Sequence, residues 1–470
     1  MSLVSQERTF LIKNEMGCVA ARESLLKSSR WRRLVVAWLS ILGLASLSFL
    51  SGAAVLYFDL PPAQFLQHAF EGAQAWYERQ RTSASMSSGD IPSVTVGKMD
   101  RPDKTFDGFT LYGTDSGSEA VLIDMRGEVV HRWRASFSKV WPKPRHVRSP
   151  VDDTSISFFS CHLYPNGEVL AVFQARGDTP YGYGLVKLDV DSKVLWRYDD
   201  PHGNVHHDVD VGDDGTIYAL TQQIVSEAPP GLEFLPTPCL VDHLVLISPE
   251  GKQLKTIAIL EAFRDSPYAS LLGLLAKAPR FGSPLTVQAG GLAVDPKGDV
   301  LHTNCVNVLS RRLAPKFPMF KEGQVLISVR QMDAIAVVDT QNGSVVWAVR
   351  GPWQAQHDPR FLDNGHLLLF DNLGAARGSR VVEYDPQTQA ISWSYSGQNG
   401  SSFFNAERGM CQRLPNGNTL IVDSNHGELL EVTQAKELVW ACDTHVHLPF
   451  ARRYGPDQVE FLNGSRSPRP

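Results

Sequence analysis

The sequence predicts an all-β chain: a six-bladed β-propeller preceded by one N-terminal transmembrane helix. Three observations carry this. A hairpin unit ending in tryptophan recurs along the chain, a turn-and-strand unit precedes most copies, and one long segment near the start bears no charge. The hairpin unit reads "VLIDMRGEVVHRW" (121–133), "LVKLDVDSKVLW" (185–196), "AVVDTQNGSVVW" (336–347), "VVEYDPQTQAISW" (381–393) and "LLEVTQAKELVW" (429–440). "LVLISPEGKQLKTI" (244–257) is a sixth copy without the tryptophan. Each is strand, short turn, strand. The last three tryptophans lie 46 and then 47 residues apart. The second unit ("HLYPNGEVLAV", "VDVGDDGTIYAL", "FKEGQVLISV", "PRFLDNGHLLLF", "QRLPNGNTLIV") ends a turn in glycine and runs into a strand. Together the units give about four strands per 45 residues, the rhythm of a propeller blade. Six copies predict six blades. The strand that closes the ring is expected from residues 95–115 or from the C-terminal tail.

The elements follow in order. Residues 1–33 form a polar cytoplasmic tail. Residues 34–58, "LVVAWLSILGLASLSFLSGAAVLYF", carry no charge. About 20 apolar residues suffice to cross a bilayer as a helix. Lys27, Arg30, Arg32 and Arg33 precede the segment and Asp59 follows it, which places the N-terminus in the cytoplasm. The apolar run exceeds the roughly 7–15 residues of a cleaved signal peptide, so it reads as a signal anchor. The propeller is then extracytoplasmic, and periplasmic in a bacterium. Residues 59–104 read as a membrane-proximal helix and a Ser-rich linker. Residues 105–450 form the propeller, and 451–470 a tail. "ILEAFRDSPYASLLGLLAKAP" (259–279) interrupts the strand rhythm as a helical insertion.

Composition narrows the function. With 43% apolar residues in 470, the chain can bury a large core. A net charge of -5 with interspersed signs offers no nucleic-acid surface. Five cysteines lie beyond the anchor, and no CxxC occurs. No zinc or redox site is indicated, and an odd count leaves at least one thiol unpaired. No metal and no cofactor are expected, and a homo-oligomer is left open.

The polar residues have a place in the repeat. His357 lies 8 positions before turn residue Gly365, and His207 lies 8 before Gly215. Each is followed by an aspartate, Asp358 and Asp208. The intervening blade carries His302 and Asn304, two apart and so on one face of a strand, and Arg330 at the end of the next strand. The starts of innermost strands converge at one mouth of a propeller. Three adjacent blades would bring His206 or His207, His302, Asn304, Arg330 and His357 together. Arg, Asn and imidazolium donors suit an anion. A neutral imidazole is also a nucleophile near pH 7. The set suits transfer of a charged tetrahedral group. An aspartate beside the histidine would fix its tautomer if it bonds to the ring.

The succession "HHDVDV", "DVLHTN", "LISVRQMDAI", "QHDPRFLDNGHLLLFDN", "SRVVEYD", "QRLPNGNTLI" resembles the bacterial arylsulfate sulfotransferases, the ASST-type arylsulfotransferases, from about residue 105 to 442. The resemblance implies a six-bladed propeller. It implies transfer of a sulfuryl group from a phenolic sulfate ester to a phenol, without the nucleotide donor PAPS, through a covalent sulfohistidine. The family's nucleophile falls on His357, and its sulfate-binding and acid/base group on His302, Asn304 and Arg330. "HHD" supplies one further histidine; the repeat frame favours His207, and His206 stays open. Family members commonly carry histidine where this chain has Gln331. Two other readings compete. One is a non-catalytic propeller that binds a ligand or protein. The other is a PQQ-type quinoprotein, suggested by "AVVDTQNGSVVW" but at odds with six repeats and no Cys-Cys pair.

Overall fold

The computed structural model describes residues 38–52, 94–98 and 101–462, apart from 116, 148, 176–181, 200–202, 277–286, 290–291, 295–297, 376–377 and 398–402. The chain divides into two compact units, Met1–Gly89 and Asp90–Pro470. In the first, residues 38–52 are helical, with Trp38, Leu44 and Phe49 exposed. Among the described residues, no helix is long and apolar enough to cross a membrane. The rest of the expected anchor, 34–37 and 53–58, lies outside them, as do residues 59–93, where the membrane-proximal helix was expected.

The second unit is the propeller; among the described residues it has six antiparallel blade sheets and a separate two-stranded sheet, Val287–Ala289 with Leu292–Val294. Blade 2 runs Ser157–Leu163, Val169–Gln174, Gly182–Leu188, Val194–Tyr198, from the inside outwards. Blade 3 runs Asn204–Val211, Ile217–Val225, Cys239–Ile247, Gln253–Ala258. Blade 4 runs Thr303–Val308, Val325–Val329, Ala334–Asp339, Ser344–Arg350. Blade 5 runs His357–Phe361, Leu367–Asp371, Arg380–Asp385, Ala390–Tyr395. Blade 6 runs Met410–Arg413, Thr419–Asp423, Glu428–Val432, Leu438–Asp443.

Both ends of the unit close the ring. Blade 1 takes Phe109–Gly113, Glu119–Ile123 and Val129–Arg134 from the start of the unit, and its inner strand, Ala451–Tyr454, from the end. The propeller therefore runs past the boundary expected at 450. Thr95–Lys98, expected in the linker, pairs with Leu438–Asp443 as a fifth, outer strand of blade 6. The helical insertion is present as Ile259–Arg264 and a 3-10 turn at Ala269–Ala276.

Local chemistry explains the blades. The turn glycines adopt left-handed backbone, with φ of 87° at Gly167 and Gly417, 82° at Gly215 and 83° at Gly365. Each glycine N–H donates to the carbonyl three residues back, at 2.9–3.1 Å. This tight turn with a left-handed final residue needs glycine to avoid a Cβ clash. The recurring tryptophans clasp neighbours. Trp133, Trp196, Trp393 and Trp440 donate Nε1–H to the carbonyls of Gly167, Pro249, Gln434 and Met125, each in the next blade around the ring. The apolar core is likewise a ring. Each of its six clusters lies between two neighbouring blades; Leu220 and Ile257 of blade 3, for example, pack with Val306 and Val338 of blade 4.

Candidate functional site

Blades 3, 4 and 5 deliver the expected residues to one end of the ring. His302 precedes the inner strand of blade 4, and Arg330 follows the strand paired to it, so both sit at the same end. His357 opens the inner strand of blade 5. His207 lies near the start of the inner strand of blade 3. The rings of His207 and His302 are 5.1 Å apart, edge to face. Arg330 and His302 are close enough to His357 to lower its basicity.

The backbone is bent to do this. His207, His302 and Asp358 have φ of 57°, 50° and 55°. A side chain in that region costs ~1–2 kcal/mol, and such strain clusters where geometry serves function. In blade 3, His206 pairs with Leu220 and Val209 with Ala219, so His207 and Asp208 bulge out of the ladder. In blade 5, His357 pairs with Phe370 and Arg360 with Leu368, so Asp358 and Pro359 face one residue. Strand register thus makes His206 the counterpart of His357, while counting from the turn glycine gives His207. The difference is one extra residue in the blade 3 bulge. The surroundings show which ring faces the mouth: His207 contacts His302 and Phe159, and is influenced by His357 and Arg330. His206 is fully buried behind it, with the two Nδ1 atoms 2.5 Å apart.

The state of His357 follows from its partners. Its Nδ1 lies 2.8 Å from Asn372 Oδ1 and 3.0 Å from the Ala355 carbonyl. Asn372 Nδ2 donates to the carbonyls of Asn405 and Arg408, at 2.7 and 2.6 Å. That fixes the amide, so its oxygen faces the imidazole. Two acceptors at Nδ1 require the proton there, which leaves the Nε2 lone pair free. Burial, then the Arg330 charge, push the His357 pKa down to about 3. The ring is therefore neutral near pH 7. Burial likewise lowers His206 to about 3 and depresses His207.

The other members have distinct settings. Asn304 donates Nδ2–H to the Gln356 carbonyl at 3.2 Å. Arg330 Nη2 donates to the Ala406 carbonyl at 3.3 Å. Gln331 turns away to the Asp299 carbonyl at 3.1 Å. His302 Nδ1 lies 2.5 Å from Asp299 Oδ2. Sequence reasoning missed Asp299 and Asn372; both stand in quoted motifs, "DVLHTN" and "LLLFDN".

Asp208 and Asp358 do something other than expected. Asp358 Oδ2 accepts the Cys411 backbone N–H of blade 6 at 2.8 Å, and Asp208 Oδ2 that of Val306 in blade 4 at 3.2 Å. The bulge throws each carboxylate towards the next blade, so Asn372, not Asp358, sets the His357 tautomer. Asp208, Asp358 and Cys305 have ligand-type atoms within 4.8 Å of one another. The cation among them is Arg360, which donates to Asp358 at 2.7 Å and Asp208 at 3.0 Å; Arg452 also donates to Asp358. Cys161, Cys239, Cys305, Cys411 and Cys442 are all buried free thiols.

Residues 161–445 match the arylsulfotransferase (ASST) family. The chain belongs to that family. Membership makes it a sulfotransferase at family level, with small aryl sulfates and phenols as the substrate class. No curated protein matches this arylsulfotransferase. Similar solved structures include a protein of unknown function from Bacteroides caccae, at 13% identity and a TM-score of 0.44, covering 74% of this chain and 98% of that one. A streptogramin B lyase follows at 11% and 0.39, covering 74% and 86%. The propeller domain of Cps50 (Swd1) from Myceliophteria thermophila gives 10% and 0.39, covering 80% and 96%. Likenesses this distant carry no argument about the arylsulfotransferase site.

Proposed function

We propose that the chain transfers a sulfuryl group from a phenolic sulfate ester to a phenol, in a ping-pong cycle through a sulfohistidine at His357. One observation carries the reading: Asn372 and the Ala355 carbonyl hold the Nδ1 proton of a neutral His357, so Nε2 offers a lone pair beside Arg330 and His302. Nε2 attacks sulfur, the N–S bond forms, and the S–O bond to the aryl group breaks with its electrons on oxygen. Arg330, the second amide hydrogen of Asn304, and His207 stabilise charge on the sulfuryl oxygens. The acceptor oxygen then attacks the same sulfur and returns the N–S electrons to Nε2. A phenol leaves readily because its pKa is about 10. PAPS takes no part. The uncharged stretch 34–58, preceded by Lys27, Arg30, Arg32 and Arg33, supports anchoring with the propeller outside the cytoplasm.

The test is nitrophenolate release from 4-nitrophenyl sulfate with phenol as acceptor. Wild type turns over, and His357→Ala falls to background. Brief exposure to donor alone adds one sulfuryl mass to wild type and none to the variant. Equal rates in the two proteins overturn the reading.

A further inference from the structure

Behind the site lies an acid that the proposed cycle has not used. Asp299 is buried, three residues before His302, with Oδ2 2.5 Å from the ring Nδ1. Its position is fixed. Asp299 forms a parallel bridge with Leu240 of blade 3, and its carbonyl accepts Gln331 Nε2. The backbone of His302 is held as well: the Arg330 N–H donates to the His302 carbonyl at 3.3 Å, and the Gln331 N–H to that of Leu301 at 3.1 Å. The backbone at both Asp299 and His302 is thus held, by blade 3 and by the neighbouring strand of blade 4.

A second acid adjoins it. Asp242 accepts Gln222 Nε2 at 3.1 Å and the Thr303 N–H at 2.7 Å, and lies 3.9 Å from His206 Nε2. Two carboxylates this buried do not both carry charge. Burial, then Asp299, raise the Asp242 pKa to about 7. A buried anion gains most from a cation at hydrogen-bond distance. His302 Nδ1 is the ring nitrogen at that distance from Asp299.

We infer that Asp299 is a positioning residue: its carboxylate keeps the His302 proton on Nδ1 and steadies the imidazolium, so that Nε2 serves as the proton donor and acceptor of the site. This rests on sulfuryl transfer at His357. In the first half-reaction the S–O bond electrons pass to the aryl oxygen, which takes the Nε2 proton of His302 and leaves as a phenol. In the second half-reaction neutral Nε2 accepts the proton of the incoming phenol as its oxygen bonds to sulfur. The proton given in one half is recovered in the other, and Asp299 stays ionised throughout.

The experiment has two readouts on the full chain. The first is the ring 15N spectrum of protein labelled at histidine, with the His302 signals assigned by their loss in His302→Gln. Wild-type His302 carries hydrogen on Nδ1 in its neutral form, and Asp299→Asn shifts the ring towards the Nε2–H tautomer. The second compares 4-nitrophenyl sulfate with phenyl sulfate, whose poorer leaving group needs the proton more. Asp299→Asn loses kcat by about tenfold on the first ester and on the order of 10²–10³-fold on the second, with KM little changed. A merely structural role lowers both alike. Equal losses, or a wild-type His302 with hydrogen on Nε2, overturn the inference. The wild-type spectrum decides the tautomer even if the variant does not fold. If wild type uses neither ester, sulfuryl transfer at His357 fails first and takes the proton role with it, whereas activity with equal losses defeats the role of Asp299 alone.

Discussion

An imidazole attacks only through a nitrogen that carries no proton, so the side chain opposite that nitrogen decides whether a histidine is a nucleophile. In this site that side chain is Asn372. Its amide is turned by two carbonyls, and its oxygen holds the proton on Nδ1 of His357. Asn372→Ala removes the constraint without touching the sulfuryl group. We expect kcat to fall roughly 10- to 100-fold with KM little changed, well short of the loss in His357→Ala; steady-state kinetics on 4-nitrophenyl sulfate check this. The candidate site was legible in the sequence as far as the residues that face the mouth, because they share a repeat frame and a family pattern. The supporting groups were not. Asp358 follows His357 directly and was the natural candidate for fixing its ring. A bulge aims that carboxylate at the next blade, and no spacing rule reveals a bulge. Asn372 had a positional signal all the same: it directly follows the second strand of blade 5 as Arg330 follows that of blade 4.

At the scale of elements, the inner strands do two tasks at once. Each bulge lies at or beside a histidine of the site and sends an aspartate sideways to the adjacent blade. The repeated His-Asp pair is therefore half site and half scaffold. Asp358 is buried and binds Arg360 and Arg452, both half-buried, and the buried Cys411 N–H. Asp358→Asn keeps the shape but takes the carboxylate from Arg452 and leaves Arg360 with Asp208, and breaking a buried ion pair costs about 3–5 kcal/mol. Denaturant unfolding should show a loss of that order, while the Asn372–His357 bond and the wild-type tautomer persist. The hairpins themselves were readable from their turn glycines and tryptophans, since a left-handed turn and an inter-blade clasp need those residue types. The one-residue difference between the bulges of blades 3 and 5 was not, and it is why His206 and His207 stayed unresolved in the sequence.

At the scale of the molecule, six blades followed from six repeats, and the ring closes with Ala451–Tyr454 from the C-terminal tail, one of the two expected sources, although neither this strand nor Thr95–Lys98 matches a repeat. The apolar core has no centre; it is spread through six seams between blades, and the buried polar residues fill the middle and the mouth. This makes stability depend on acid. In the unfolded chain the rings of His206 and His357 take up protons near pH 6.5, whereas in the fold they resist until about 3. Acid therefore favours the unfolded chain: stability present above pH 6.5 is lost as pH falls towards 3. Asp242, raised to about 7, works the other way between 3.8 and 7, but a single carboxyl does not offset two imidazoles. The thermal midpoint should drop between pH 7 and pH 4, and drop less in His357→Gln. An equal drop in both would remove His357 from the account.

The position of Ala451–Tyr454 has a consequence for how the protein is made. Blade 1 is translated first, yet its innermost strand is translated last. Roughly 320 residues separate Arg134 from Ala451, and a ribosome adding about 5–20 residues per second needs some 15–60 s to span them. Throughout that interval the backbone of Phe109–Gly113 presents an open edge to anything nearby. The nascent chain must be kept from pairing with its neighbours until that strand arrives, so closure of this propeller waits for Ala451–Tyr454.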